Sequence, residues 1–106
     1  MNSSLVEHFS KVEDPRIIKK CSHLLVDIIV IAVCATLCRF DNSWEDIEGF
    51  GNIKFDWFKA FLELPNGIPS HDTMRRVFLL INPVQLQECF YNWANNFRAQ
   101  FGRLIR

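Results

Sequence analysis

The sequence predicts an all-α protein, a compact bundle of five to six helices, with a helix-turn-helix-like arrangement as one possible form. Three observations carry this reading. Apolar residues recur at helical spacing in successive segments, and no segment sustains apolar–polar alternation at period two. Proline, glycine and short polar residues then punctuate those segments at places where helices start and stop. The chain has 106 residues, of which 49% are apolar, so it fills one small domain and has enough apolar surface for a core.

The first amphipathic stretch runs from about Ser4 to Val12, with Leu5, Phe9 and Val12 on one face. Asp14-Pro15-Arg16 ends it, since proline lacks the amide hydrogen a helix needs. Ser22 is the expected N-cap of a long apolar helix from His23 to about Cys38. After a polar turn, Ser43 and Asp46 imitate a capping box for a short helix opening on Trp44-Glu45-Asp46-Ile47, which Gly49 and Gly51 are expected to end. Another helix is expected from about Ile53 to Leu62, with Phe55, Phe58 and Leu62 along one stripe and Trp57 and Phe61 beside it. Two prolines and Asn66-Gly67 make Leu64 to Pro69 a loop. Ser70 caps a helix from His71 to about Leu80, where Met74, Val77, Phe78 and Ile81 fall at i, i+3, i+4 and i+7. Asn82 at the N-cap, Pro83 at N1 and Gln85 at N3 open the last helix. It carries Leu86, Phe90, Trp93 and Phe97, and Gly102 is its expected stop.

Composition narrows the function classes. Twelve bases balance twelve acids, which excludes a strongly basic DNA-coating protein. The zero is a sum: residues 41–63 hold six acids against two lysines, whereas residues 71–106 hold five arginines against two acids. The longest apolar run, Leu24 to Cys38, carries Asp27 and falls short of the ~20 residues a membrane span needs. No secretory signal is visible, and Cys21, Cys34, Cys38 and Cys89 fit a reducing compartment, so the expected location is cytoplasmic. Cys34 and Cys38 read as small buried residues of a core helix rather than metal ligands. There is no phosphate-cradling glycine loop, no Cys-x-x-Cys and no spaced histidine pair, so neither a cofactor nor a small-molecule substrate is expected. Asp27 is the oddest residue, an acid in an apolar helix, expected on its exposed side or paired with Arg16 or Lys20.

One segment reads as a binding element. In Pro69 to Phe78 a helix opens on Ser70, His71, Asp72 and Thr73 and continues with Arg75 and Arg76. The amide end of such a helix takes a phosphate, short polar side chains reach base edges or backbone, and arginine reads guanine or phosphate. Asp72 also stands four residues before Arg76, the favourable order for a helical ion pair. The loop before the helix is longer than a usual helix-turn-helix turn. From this chemistry alone, a DNA-contacting helix and a solvated bundle face both stay open.

The order of motifs resembles a known family. Phe9, Asp14-Pro15-Arg16, His23-Leu24 with Asp27-Ile28, Ser43 to Ile47 and Phe50-Gly51 are followed by Leu64 to Thr73, then Arg76-Val77-Phe78, Pro83, Cys89-Phe90 and Trp93. This succession is similar to the N-terminal region of H-repeat-associated proteins, DDE-type insertion-sequence transposases. The run Asn66-Gly67-Ile68-Pro69-Ser70-His71-Asp72-Thr73 is the most specific part. The resemblance implies a single N-terminal transposase-associated domain over residues 1–106. It also implies absence of the ribonuclease-H-like core, whose carboxylates hold divalent metal and cut and join DNA. Three departures stand out. Relatives usually carry glycine in the turn after Cys38, where this chain has Arg39-Phe40. They commonly have a small or apolar residue at position 75, and their continuation differs from the final basic hexapeptide.

The expected function is therefore non-catalytic: a domain or remnant of a bacterial transposase, left by a frameshift or premature stop, with transposon-end DNA binding as its ancestral role. The expected partner is double-stranded DNA at insertion-sequence ends, with His71, Asp72, Thr73, Arg75 and Arg76 as contacts. The alternatives are a helical self-association module exposing Trp57, Phe61 or Trp93, and a vestigial product without selected function.

Overall fold

A computed structural model describes residues 2–16 and 23–105, with side chains at 5–16 and 23–96. Six helices follow in order: α1 (Asn2–Phe9), α2 (Leu25–Leu37), α3 (Trp44–Ile53), α4 (Phe55–Lys59), α5 (His71–Leu80) and α6 (Pro83–Ile105). The protein is all-α, as the periodicity predicts. Helix α2 is the centre, packed between α1 and α3, while α6 lies on α1 and α5 on α3. Its Ile28, Ile29, Val30, Ile31 and Ala35 are fully buried, as expected of a helix that is apolar on nearly every side. No helix among the described residues is long and apolar enough to cross a membrane.

Helix starts follow local cap chemistry. Ser43 Oγ accepts the Asp46 amide at 3.1 Å, and Ser70 Oγ accepts the Thr73 amide at 3.2 Å. Asn82 Oδ1 accepts from the Val84 and Gln85 amides at 3.0 and 3.3 Å. Gln85 does not close a capping box. Its Oε1 accepts the Glu13 amide at 2.8 Å and ties the segment after α1 to α6. In that segment Asp14 Oδ1 accepts the Arg16 amide at 3.0 Å, and its two oxygens take Arg16 Nε and Nη2, each at 2.9 Å. The motif is thus a turn locked by a bidentate ion pair.

Four expectations need correction. Helix α2 begins at Leu25 rather than His23, because Leu24 is extended and offers no side-chain cap; Ser22 lies outside the described residues. Helix α3 runs through both glycines to Ile53. A Cβ on Gly51 would sit 2.9 Å from Ile68 Cγ2 and 3.3 Å from Ile31 Cγ2, so this glycine allows close packing and ends nothing. Helix α4 stops at Lys59, where the bonding tightens to three-residue steps through Ala60 and Phe61. Helix α6 continues through Gly102 to Ile105.

Helix α2 ends with the Phe40 amide on the Ala35 carbonyl at 2.8 Å and the Arg39 amide on Thr36 at 3.1 Å, a Schellman pair. Arg39 sits there at φ 65°, the left-handed region that favours glycine. An arginine therefore stands where its side chain strains the backbone. Phe40 packs its ring at a tilt against Phe50, with ring centroids 5.3 Å apart.

Asp27 is buried, at 1% exposure, and faces inward rather than to solvent. Its Oδ2 accepts the Leu64 amide at 3.0 Å, across 37 residues of sequence. Leu64 has φ 43°, and the Gly67 amide returns to its carbonyl at 3.1 Å. The acid therefore fixes the entry to the loop that launches α5. Burial raises its pKa above the ordinary carboxylate value; Glu63 adds to this, while the Leu64 amide, His23 and Lys59 oppose it.

Two outcomes test this packing. Gly51→Ala should cost about 1–3 kcal/mol in urea unfolding through overpacking, whereas Gly49→Ala, with nothing within 4 Å, should gain about 0.5–1 kcal/mol. Asp27→Ala should cost about 1–3 kcal/mol by orphaning the Leu64 amide. Because burial raises the folded pKa, native protein binds the proton more readily than the unfolded chain, and that stability is fully present below the unfolded value and lost as pH rises through the folded one. The Leu64 hydrogen bond favours the carboxylate and opposes the loss. Asp27→Asn should therefore gain stability relative to the parent across that rise, measured by unfolding at stepped pH.

Candidate functional site

Helix α5 owes its placement to its buried face. Met74 is fully buried and Val77 nearly so, while the Trp44 and Phe78 rings meet at 5.4 Å and bind the helix to the start of α3. Pro69, also fully buried, fixes the residue before the cap. The opposite face carries Arg75 and Arg76 and then Leu79 and Leu80, all exposed. The two leucines were not singled out by helical spacing, because they fall outside the buried stripe.

The five sequence-predicted contacts divide into three local groups. His71 turns to α3, where Glu48 Oε1 accepts its amide at 2.7 Å and meets its Nδ1 at 2.8 Å. Thr73 turns to the cap, with Ser70 Oγ–H donating to Thr73 Oγ1 at 3.0 Å. Asp72, Arg75 and Arg76 come together on the exposed face. Asp72 Oδ1 accepts from Arg75 Nη2 at 3.0 Å, and its Oδ2 accepts from Arg76 Nη2.

The amide end of α5, expected to face a phosphate, is bonded within the chain. Glu48 takes the His71 amide, Ser70 Oγ takes Thr73 and the Ser70 carbonyl takes Met74 at 3.0 Å. A carboxylate at the positive end of a helix is favourable, so Glu48 satisfies the dipole an external anion would otherwise meet. Its hydrogen bonds from the His71 amide and then the ring hold its pKa below the ordinary glutamate value. Arg76 and then Arg75 do the same for Asp72. The face is left with one net positive charge from two arginines and one aspartate. Glu48 lies 23 residues from His71 in sequence, and no spacing rule connects them.

The helix-turn-helix form is not that of a tight α4–α5 pair, since residues 60–70 separate them, whereas only Ile81 and Asn82 separate α5 from α6. Elsewhere α2, α3, α5 and α6 surround an open apolar groove of about 500 Å³, whose lining includes Val33, Leu37, Trp44, Phe78, Phe90 and Tyr91. Leu37 and Tyr91 are more than half exposed at its rim. Of the aromatic residues expected on an interaction surface, Trp57 is exposed and Phe61 half-buried, but Trp93 is buried in the core. Cys34 is buried as expected and Cys38 is exposed; burial pushes the Cys34 thiol up to about 11.

Glu48 should act as a tether between α3 and α5. Glu48→Ala should cost about 0.5–2 kcal/mol, in the range of a lost N-cap. Because the folded pKa of Glu48 is lowered, its contribution is present above the unfolded value and lost as pH falls through the folded one. Unfolding at stepped acidic pH should therefore show a shallower acid loss in Glu48→Gln than in the parent.

Comparison with known proteins agrees with the order of motifs. A family profile described as DDE_Tnp_1-associated matches residues 6–94. The "H repeat-associated putative transposase YhhI" of Escherichia coli (strain K12) is 43% identical over 92 residues, which cover 87% of this chain and 24% of that protein. The "Uncharacterized protein in dhlA 3'region" of Xanthobacter autotrophicus is 45% identical over 91 residues, or 85% of this chain and 30% of that protein. The "Inactive transposase YbfQ" of Escherichia coli (strain K12) is 42% identical over 73 residues, covering 69% of this chain and 86% of that shorter protein. The chain thus spans less than a third of the longer two relatives. No solved structure matches. With most of its length matched by the profile, the chain belongs to the DDE_Tnp_1-associated family.

Proposed function

We propose that these residues form a non-catalytic, DNA-contacting domain of an H repeat-associated insertion-sequence transposase. It acts in the bacterial cytoplasm on double-stranded DNA at the element's ends. The observation that carries this reading is the exposed pair Arg75 and Arg76 on α5, a helix held firmly to α3 in a chain of this family. His71 and Thr73 support the face through Glu48 and Ser70, and Leu79 and Leu80 extend it with apolar surface suited to thymine methyl groups.

A second reading, a helical self-association module, rests on the apolar groove rimmed by Leu37 and Tyr91. The two are separated by one pair of measurements. In a shift assay on duplexes bearing the flanking element's terminal sequences, binding should weaken steeply with salt. Arg75→Ala/Arg76→Ala should weaken that binding and flatten its salt dependence, since two cations leave the DNA-facing helix. Equal and negligible binding of both proteins at low salt would sink the DNA reading. A concentration-dependent mass in solution, unaffected by DNA, is the outcome that favours self-association.

A further inference from the structure

Among the proposed contacts, Asp72 is the anomaly. A carboxylate facing duplex DNA meets a row of phosphates of its own sign, and a favourable contact is left mainly to cytosine amino groups. Here both carboxylate oxygens are already engaged, Oδ1 by Arg75 and Oδ2 by Arg76. The positions explain how one acid serves two bases: on a helix, residues three and four along lie on the same face as the first. The exposure of the three side chains runs from 43% for Asp72 to 50% for Arg75 and 68% for Arg76. All three side chains are therefore open to solvent, with the carboxylate between the two guanidinium groups.

We propose that Asp72 is a positioning residue rather than a DNA contact: it holds Arg75 and Arg76 side by side as one preformed donor pair for adjacent acceptors on a major-groove base edge. This rests on the DNA reading above and assigns a division of labour within it. Each guanidinium carries five N–H donors in a rigid fork, so most remain available after one is given to Asp72. A free arginine loses much rotamer freedom when it docks, and an arginine already held by a carboxylate loses less. The same carboxylate removes one positive charge from the face, which weakens attraction to any duplex regardless of sequence. Asp72 thus exchanges general affinity for discrimination. Arg76 and then Arg75 hold its pKa below the ordinary aspartate value, so the carboxylate is charged at neutral pH.

The test compares the full chain with Asp72→Ala, Asp72→Glu and Arg75→Ala/Arg76→Ala on two duplexes, one bearing the element's terminal sequence and one a scrambled version of equal length and composition. Asp72→Ala should bind the scrambled duplex more tightly and with a steeper salt slope. Its preference for the terminal sequence should fall about tenfold or more, the scale of one lost bidentate base contact. Asp72→Glu, which keeps the charge, should retain most of the preference. Without DNA, order parameters of the Arg75 and Arg76 Nε–H groups should fall in Asp72→Ala while α5 backbone amides stay unchanged.

Equal tightening on both duplexes would overturn the proposal, because Asp72 would then only screen charge. A changed base preference at one position in Asp72→Ala, with scrambled binding unmoved, would also overturn it and make Asp72 a direct reader. Absence of binding by every protein sinks the DNA reading itself. Arginine order parameters that do not respond to Asp72→Ala sink the clamp whether or not DNA binds.

Discussion

The hydrogen bond from the Leu64 amide to the buried carboxylate of Asp27 is the constraint on which the rest of the structure depends. Helix α2 is apolar nearly all round, and apolar packing alone is non-directional. A single directed polar contact from that helix gives the chain after α4 a unique point of attachment. From there Leu64 takes a left-handed backbone, the chain turns at Gly67, Ile68 packs against Gly51, and buried Pro69 delivers Ser70 to cap α5. A buried acid is costly, and an apolar residue in its place would leave the Leu64 amide without an acceptor. The bond matters chiefly for position: it decides where α5 begins, and so where its outer face points.

The acidic middle of the sequence acquires a role from this placement. Gly51 lets α3 come close to Ile31 and Ile68, and Glu48, one turn earlier on α3, then reaches the first amide and the ring of His71. A helix that otherwise presents unsatisfied amides is closed by an acid from its neighbour. The segmental charge imbalance therefore does not describe two separate fields. Acidic α3 and basic α5 are packed together and meet at the hydrogen bonds of Glu48 with His71, while Asp72 pairs with both arginines within α5 itself.

What the sequence made legible follows the range of each interaction. Ser43, Ser70 and Asn82 were readable as caps because a cap bonds two or three residues ahead, and the bounds of α5 follow directly. The cluster of Asp72 with Arg76 was readable for the same reason. Local propensity disfavours glycine in a helix and so points to a stop at Gly49 and Gly51, while the reason for Gly51 is a contact with residues far along the chain. Asp27 and Leu64 are separated by 37 residues and Glu48 and His71 by 23, beyond any periodicity. The outer face of α5 was thus legible by residue type, and its support was not. Trp93 shows the converse, since an aromatic residue on a helical stripe does not reveal whether that stripe is covered.

These facts bear on how a domain with so little positive charge would take part in DNA recognition. Affinity for duplex DNA scales with the number of phosphates neutralised, and the α5 face presents two arginines already shared with an aspartate. Under the proposed DNA reading, such a face adds little general attraction and contributes more to discrimination between sites. Its arginines share one carboxylate, its helix is tied at the amide end by Glu48, and its base is packed through Met74 and Val77. The longer relatives have more than two thirds of their length outside the matched region. A chain of zero net charge fits a domain that discriminates in this way better than one that holds DNA by electrostatics alone.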